Sequence, residues 1–221
     1  PNNILPYHAN KLNALNQVPQ YENTTIWHKK LSFYYDKMMN ISQQLVHGIS
    51  LALNFDYNYL NQFCQHSAEV SILRAFHYFP YEQYESSPGK EKIGSSQHTD
   101  WGFLTVILQD GISGIEVFYQ NRWYKIPALD NAFLINCGDY LSMITNKLYI
   151  SPLHRVVINQ HERTSLVLFY YPDYHSTIEP MINTTTIDKN GQNDQDYSLF
   201  DDQSLEGLKN KKSSIQKKEP I

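Results

Sequence analysis

Cysteine is scarce. Cys64 and Cys137 are the only two in 221 residues, too few for the disulfide framework of a small secreted protein and in keeping with a reducing, cytoplasmic setting. No stretch approaches the ~18–20 consecutive apolar residues of a membrane-spanning helix. No signal-peptide hydrophobic region opens the chain, and its first residue is Pro1 rather than Met, so an N-terminally truncated chain is expected. Glycine and proline, 9 and 10 residues, are too few for a collagen-like or low-complexity chain. Positive charge is not in excess. Lys and Arg number 18 against 22 Asp and Glu, a formal net charge of −4, and that excludes the basic footprint of a nucleic-acid binder. The exception is Lys209, Lys211, Lys212, Lys217 and Lys218 near the end, which read as a solvated tail. Sequons at Asn23, Asn40 and Asn183 are no more than chance supplies in so Asn-rich a chain. What the chain does have is aromatic bulk, with 17 Tyr and 10 Phe, and at this length it can bury a core.

Three regions are expected: a polar lead-in and helices over 1–68, a β domain over 69–180, and a polar, largely disordered tail over 181–221. Trp27, Leu31, Met38, Ile41, Leu45, Ile49 and Ala52 recur at helical steps and predict one long α-helix from about Thr25 to Leu53. A shorter helical stretch, Tyr57 to Gln65, follows. From Val70 the pattern changes to β-branched and aromatic residues. After a polar loop over Tyr81–Ser95, strand candidates come in quick succession at His98–Asp100, Leu104–Leu108, Ile115–Tyr119, Trp123–Ile126, Ala132–Asn136, Leu141–Thr145, Arg155–Asn159 and Ser165–Tyr170. Gln120-Asn121 reads as a hairpin turn. Such spacing argues for a β-sandwich or barrel. Tyr197, Leu199, Phe200, Leu205 and Leu208 could form one short amphipathic element in the tail.

The chemistry concentrates between His98 and Ser165. His98-Thr99-Asp100 is a His-x-Asp, and in a strand residues two apart share a face, so imidazole and carboxylate can meet one metal ion. Asp100 could instead cap a turn. His154, at the entry to an apolar strand, is the best candidate for a third ligand. Two His and one carboxylate on one octahedral face is the arrangement of non-haem Fe(II) oxygenases, and it leaves positions open. Arg163-Thr164-Ser165 repeats the i, i+2 spacing. Its guanidinium fork and hydroxyl suit a carboxylate, and if His154 and Arg163 lie on adjacent antiparallel strands they suit a dicarboxylate held at both ends. On the residues alone, a surface arginine in a hairpin explains Arg163 equally well. Cys137 reads as a small buried hydrophobe, and Asp139 as a turn former.

Six segments in register carry a resemblance: Leu73-Arg74-Ala75-Phe76-His77-Tyr78-Phe79-Pro80, Gln97-His98-Thr99-Asp100-Trp101-Gly102-Phe103-Leu104-Thr105, Gly114-Ile115-Glu116-Val117, Asn136-Cys137-Gly138-Asp139, Leu153-His154-Arg155-Val156 and Arg163-Thr164-Ser165. Over about Val70 to Pro172 the chain resembles the Fe(II)/2-oxoglutarate-dependent dioxygenases of the isopenicillin N synthase-like superfamily. The resemblance implies a mainly β fold, a double-stranded β-helix or jelly roll preceded by the long α-helix. It implies Fe(II) at His98, Asp100 and His154, which are then the catalytic set. It also implies 2-oxoglutarate as cosubstrate held by Arg163, Ser165 and Tyr78, with ascorbate as a further candidate cofactor. Phe76 stands where many plant members carry Asn. Arg74 shares the parity of Tyr78, with a place at the same cavity left open, and Phe103 and Phe169 serve equally as cavity wall or core.

The implied activity is oxidation of a small organic substrate by O₂, by hydroxylation or desaturation, with release of succinate and CO₂. Two alternatives stand beside it. One is an isopenicillin N synthase-like iron oxidase that does not use 2-oxoglutarate. The other is a non-catalytic jelly-roll binding protein or fragment, since the family usually carries about a hundred residues before the point where this chain begins.

Overall fold

The protein is described from a computed structural model, which covers residues 24–80 and 92–181. The chain divides into Pro1–Ile182 and Asn183–Ile221, and everything described lies in the first unit. The expectations for the lead-in before residue 24, for most of the polar loop, for the tail element and lysine cluster, and for the sequons at Asn23 and Asn183 lie outside the described residues.

Helix α1 spans Thr24–Ala52. Its buried ridge is Met38, Ser42, Val46 and Ser50, with His47 beside it. These positions recur at steps of four, one face of the helix. The apolar stripe at Ile41, Leu45 and Ile49 flanks this ridge and packs against the same core, whereas Trp27 is exposed. The centre of the contact was hidden because small polar residues occupy it. Ser50 is satisfied there, donating to the Val46 carbonyl and accepting the Leu60 backbone N–H. Asn54, at φ 59°, takes the left-handed conformation that commonly follows a helix end. Of the expected helical stretch Tyr57–Gln65 only the 3-10 turn Leu60–Phe63 forms, with i to i+3 bonds in which the Tyr59 N–H donates to the Asp56 carbonyl and the Asn61 N–H to the Asn58 carbonyl.

Eight strands follow: β1 Ile72–Tyr78, β2 Ile93–His98, β3 Leu104–Gln109, β4 Ile115–Tyr119, β5 Arg122–Lys125, β6 Leu134–Cys137, β7 His154–Val157 and β8 Arg163–Tyr170, with helix α2 at Asp139–Ile144 between β6 and β7. They form two four-stranded sheets, β1-β8-β3-β6 and β2-β7-β4-β5, with every pairing antiparallel. Strands β1 and β2 take the first place in each order, β8 and β7 the second, β3 and β4 the third, β6 and β5 the last. Each of these couples is consecutive in sequence, so the chain crosses repeatedly between the sheets. This is the expected mainly β jelly roll, without closure into a barrel. Gln120 and Asn121 both have positive φ, 44° and 62°, as a two-residue hairpin loop of the I′ type requires.

Three expectations are corrected. Of Leu141–Thr145, Leu141–Ile144 lies on helix α2 rather than a strand, and Thr145 is its C-cap. A five-residue apolar run does not separate the two, and the extended Gly138 followed by Asp139 in the first turn starts a helix. The His-x-Asp is not within a strand: β2 runs from Ile93 and ends at His98, taking in residues assigned to the polar loop. Its sequence Ile-Gly-Ser-Ser-Gln-His is an edge strand paired to β7 with two register shifts, and such a segment carries no apolar alternation to read. Finally, β7 and β8 are not neighbours in one sheet; the short link after β7 crosses to the opposite sheet.

Strand β3 of the β1-β8-β3-β6 sheet is covered on both faces, and β8 beside it mostly so. Leu104, Val106, Leu168 and Tyr170 pack with Met38 and Val46 of α1 and with Tyr140, Leu141 and Ile144 of α2. Ile107 and Val167 meet Ile115 of the other sheet, with Phe76, Val156 and Phe169 around them. Double burial is why β3 reads as a continuous apolar run. Phe103 belongs to the helix-side core, and Phe169 to the cluster between the sheets. Cys64 is buried in the helix-side core, and burial pushes its thiol up to about 12.

Candidate metal centre and anion clamp

His98 closes β2 and His154 opens β7, and the two are direct partners across the ladder. Asp100 lies two residues beyond the strand end and turns back to them. Its Oδ1 is 3.6 Å from His98 Nε2 and 3.7 Å from His154 Nε2. The imidazole rings are tilted with centroids 4.3 Å apart. Among the described residues this is the one group of three whose ligand atoms all lie within 4.8 Å of one another. The backbone sets both tautomers. His98 Nδ1 lies 2.6 Å from the Ser96 carbonyl, and His154 Nδ1 lies 3.1 Å from the Pro152 carbonyl. A carbonyl only accepts, so each Nδ1 donates to its carbonyl and each Nε2 is the ring atom that faces Asp100. That is the arrangement by which metal-binding histidines are commonly oriented. Asp100 Oδ2 accepts a bond from Asn136 Nδ2 at 2.7 Å, which leaves Oδ1 for the centre. The Asp100 and His154 side chains are 3% and 8% exposed, but that of His98 is 39% exposed, so the centre opens on the side of β2.

Asn136 was missed as a site residue. Its only sequence signal was membership of the Asn136-Cys137-Gly138-Asp139 segment, which says nothing of what it touches. The glycines on either side of the centre were missed as well. A Cβ on Gly138 would lie 2.0 Å from the Gly102 carbonyl oxygen, and one on Gly102 would lie 2.7 Å from that of Tyr170. The Asp139 N–H donates to the Asp100 carbonyl at 2.7 Å, and the Thr99 hydroxyl to Asp139 Oδ2 at 3.0 Å. The loop carrying Asp100 is thereby fastened to the start of α2.

Arg163 opens β8, in the opposite sheet from His154, and is 2% exposed. Its guanidinium lies 3.8 Å from the centre of the Tyr78 ring, and Tyr78 is its direct partner on β1. On the other side it packs on Gly114, where a Cβ would come within 2.4 Å of its Cζ. Nε and Nη2 are buried with no hydrogen-bond partner among the described residues. Burial pulls the guanidinium below its ordinary value, with Tyr78 and Asp110 pulling it partly back. Ser165, also buried, follows on the same face. A buried cation with two orphaned donors has a place for an anion, since such donors in native proteins are rarely left unmet.

Registers join the two features. His154 pairs with Val117 and Val156 with Ile115, and Val157 N–H donates to the Gly114 carbonyl. Three residues along β7 therefore lead from His154 to the glycine that cradles Arg163, about 10 Å of extended chain. His98, Asp100 and His154 come together at one end. Arg163, Ser165 and Tyr78 come together at the other. Arg74 shares their face but is exposed, its guanidinium over Phe169.

Residues 69–172 match the family model described as the 2OG-Fe(II) oxygenase superfamily. Over these residues, just under half of the chain, it carries the sequence pattern of that superfamily. The chain is also similar to isopenicillin N synthase of Amycolatopsis lactamdurans, 30% identical over 172 residues that make up 76% of this chain and 52% of the relative. The crystal structure of a full-length Neurospora crassa protein in complex with alpha-KG superposes with a TM-score of 0.67 at 24% identity, covering 77% of this chain and 53% of that one. The crystal structure of JOX2 in complex with 2OG, Fe and JA gives a TM-score of 0.66 at 25% identity, covering 82% and 52%. The chain thus spans about half the length of these proteins. No described helix is long and apolar enough to cross a membrane.

Proposed function

We propose that the protein binds Fe(II) through His98 Nε2, Asp100 Oδ1 and His154 Nε2 and takes 2-oxoglutarate as cosubstrate to oxidise a small organic molecule with O₂, releasing succinate and CO₂. The observation that carries this reading is the pairing of a three-ligand cluster with a buried arginine whose Nε and Nη2 have no hydrogen-bond partner among the described residues. Each feature fits its group. Two neutral imidazoles and one carboxylate suit a ferrous ion and leave positions open, and the ion supplies the activation of oxygen. The separation suits the cosubstrate. The three strand residues between His154 and the glycine under Arg163, about 10 Å of extended chain, are of the order of length that a five-carbon dicarboxylate would bridge.

The protein's own part is positioning. The Ser96 and Pro152 carbonyls hold the imidazole planes, Asn136 holds the carboxylate, and Tyr78 and Gly114 hold the guanidinium between a ring and a bare backbone. Arg163 and Ser165 receive the far carboxylate, and the apolar cluster of Ile107, Ile115 and Val167 between the sheets keeps water from the chain between the two ends. The assignments of Tyr78 as a clamp member and of 69–180 as the oxygenase domain belong to the same proposal.

Anaerobic titration with Fe(II) and then 2-oxoglutarate tests binding, and succinate formed per O₂ consumed tests the reaction. One equivalent of each bound, with succinate formed, supports the reading. O₂ uptake on a substrate without succinate would replace it with the oxidase alternative, favoured by the likeness to isopenicillin N synthase; there Arg163 and Ser165 hold a carboxylate of the substrate itself.

A further inference from the structure

Resting on the proposed function, we infer that the oxidised substrate is a small carboxylic acid with an apolar body, and that Arg74 is the residue that anchors its carboxylate. On β1 the residues Ile72, Arg74, Phe76 and Tyr78 alternate onto one face. That face is the inner one, because Tyr78 lies under Arg163 and Phe76 packs in the cluster between the sheets, whereas Leu73 packs toward α1. Arg74 pairs with Val167 and its guanidinium lies 5.6 Å from the centre of the Phe169 ring. It stands one inward position from Ile72, whose partner Phe169 pairs in turn with Thr105, the partner of Asn136. Asn136 bonds Asp100, so Arg74 lies two strand positions from the level of the residue that holds Asp100 and four from Tyr78 at the clamp.

Its edge matters too. Strands β1 and β2 are the first of their sheets, and β2 delivers His98, the one ligand open to solvent. Arg74 and the open flank of the centre therefore share one margin of the sandwich. Tyr171, just past β8, feels the charges of both Asp100 and Arg74. The two arginines of the inner face are distinct in state. Arg163 is enclosed and fits a cosubstrate that is always the same. Arg74 is exposed, forms no ion pair among the described residues, and has Phe169 and the 42% exposed Ile72 beside it. A planar fork with aromatic and aliphatic neighbours suits a carboxylate on an apolar frame.

The test uses the full chain loaded with Mn(II) and 2-oxoglutarate, and benzoate and phenylacetate as probes against benzamide and phenylacetamide. Paramagnetic relaxation of the probe protons reports binding beside the centre and needs no turnover. The acids are expected to bind about tenfold tighter than the amides, one charge-assisted pair's worth. Arg74→Gln removes that preference, Arg74→Lys restores part of it, and Mn(II) and 2-oxoglutarate bind all three proteins alike. Equal relaxation of acids and amides by the native protein overturns the inference. So does an acid preference that survives in Arg74→Gln, or a loss of 2-oxoglutarate affinity in that variant, which would make Arg74 part of the clamp. Failure of the native protein to take up Mn(II) or 2-oxoglutarate is a separate result and removes the proposed function with it.

Discussion

The metal centre and the arginine clamp are built on opposite principles. At the metal end every polar contact beyond the open centre is met by the protein: two backbone carbonyls fix the imidazoles, and Asn136 fixes the carboxylate. At the clamp end the guanidinium rests on a ring and a glycine, with two donors that meet no partner among the described residues. A set of lone pairs can be oriented in advance by hydrogen bonds behind it. A buried cation cannot be satisfied in advance without filling the place its ligand needs. The metal end is therefore preorganised at little cost, whereas the clamp end carries the desolvation of a charge until an anion arrives.

Substitutions at each end separate these two designs. The largest effect belongs to Asp100→Ala. Losing a direct ligand should lower Fe(II) affinity by more than the about 10–100-fold that an outer partner costs, and anaerobic titration measures it; near-native iron stoichiometry would show the ligand set to be wrong. Next is Arg163→Met. It should weaken 2-oxoglutarate about a hundredfold, two charge-assisted bonds' worth, and leave Fe(II) affinity unchanged. The same substitution should raise the stability of the ligand-free protein, by about 1–3 kcal/mol in chemical denaturation, because the orphaned donors go with it. A stability loss there would mean that the guanidinium is satisfied after all. The smallest is Asn136→Ala, expected to cost about 10–100-fold in Fe(II) affinity with the 2-oxoglutarate affinity of the iron-loaded protein intact.

The sequence disclosed chemistry better than placement. His98, Asp100 and His154 stand out because few chemistries use that trio, and the structure brings them together. The shared strand face expected of His98 and Asp100 is absent, since Asp100 lies past the end of β2 and reaches back through a loop. Spacing alone allows Arg163 a place beside His154 on the next strand, yet it comes from the opposite sheet. Sheet partnership depends on long-range pairing that local pattern does not encode. Helix α1 was legible because twenty-nine residues give periodicity time to declare itself, whereas α2, with six, did not. Its true contact ridge through Ser42 and Ser50 escaped because hydroxyls count as polar until their partners are known. Asn136 and the close approach of Gly102 to Gly138 escaped for a related reason. Their roles are properties of a contact between segments far apart in the chain.

His154 and Arg163 are nine positions apart along the chain but belong to different layers. A dicarboxylate seated between them would act as a rivet through the sandwich, gripped by one layer at each end. Its arrival would couple the two layers mechanically, so that loosening either one would release the cosubstrate and losing the cosubstrate would loosen both.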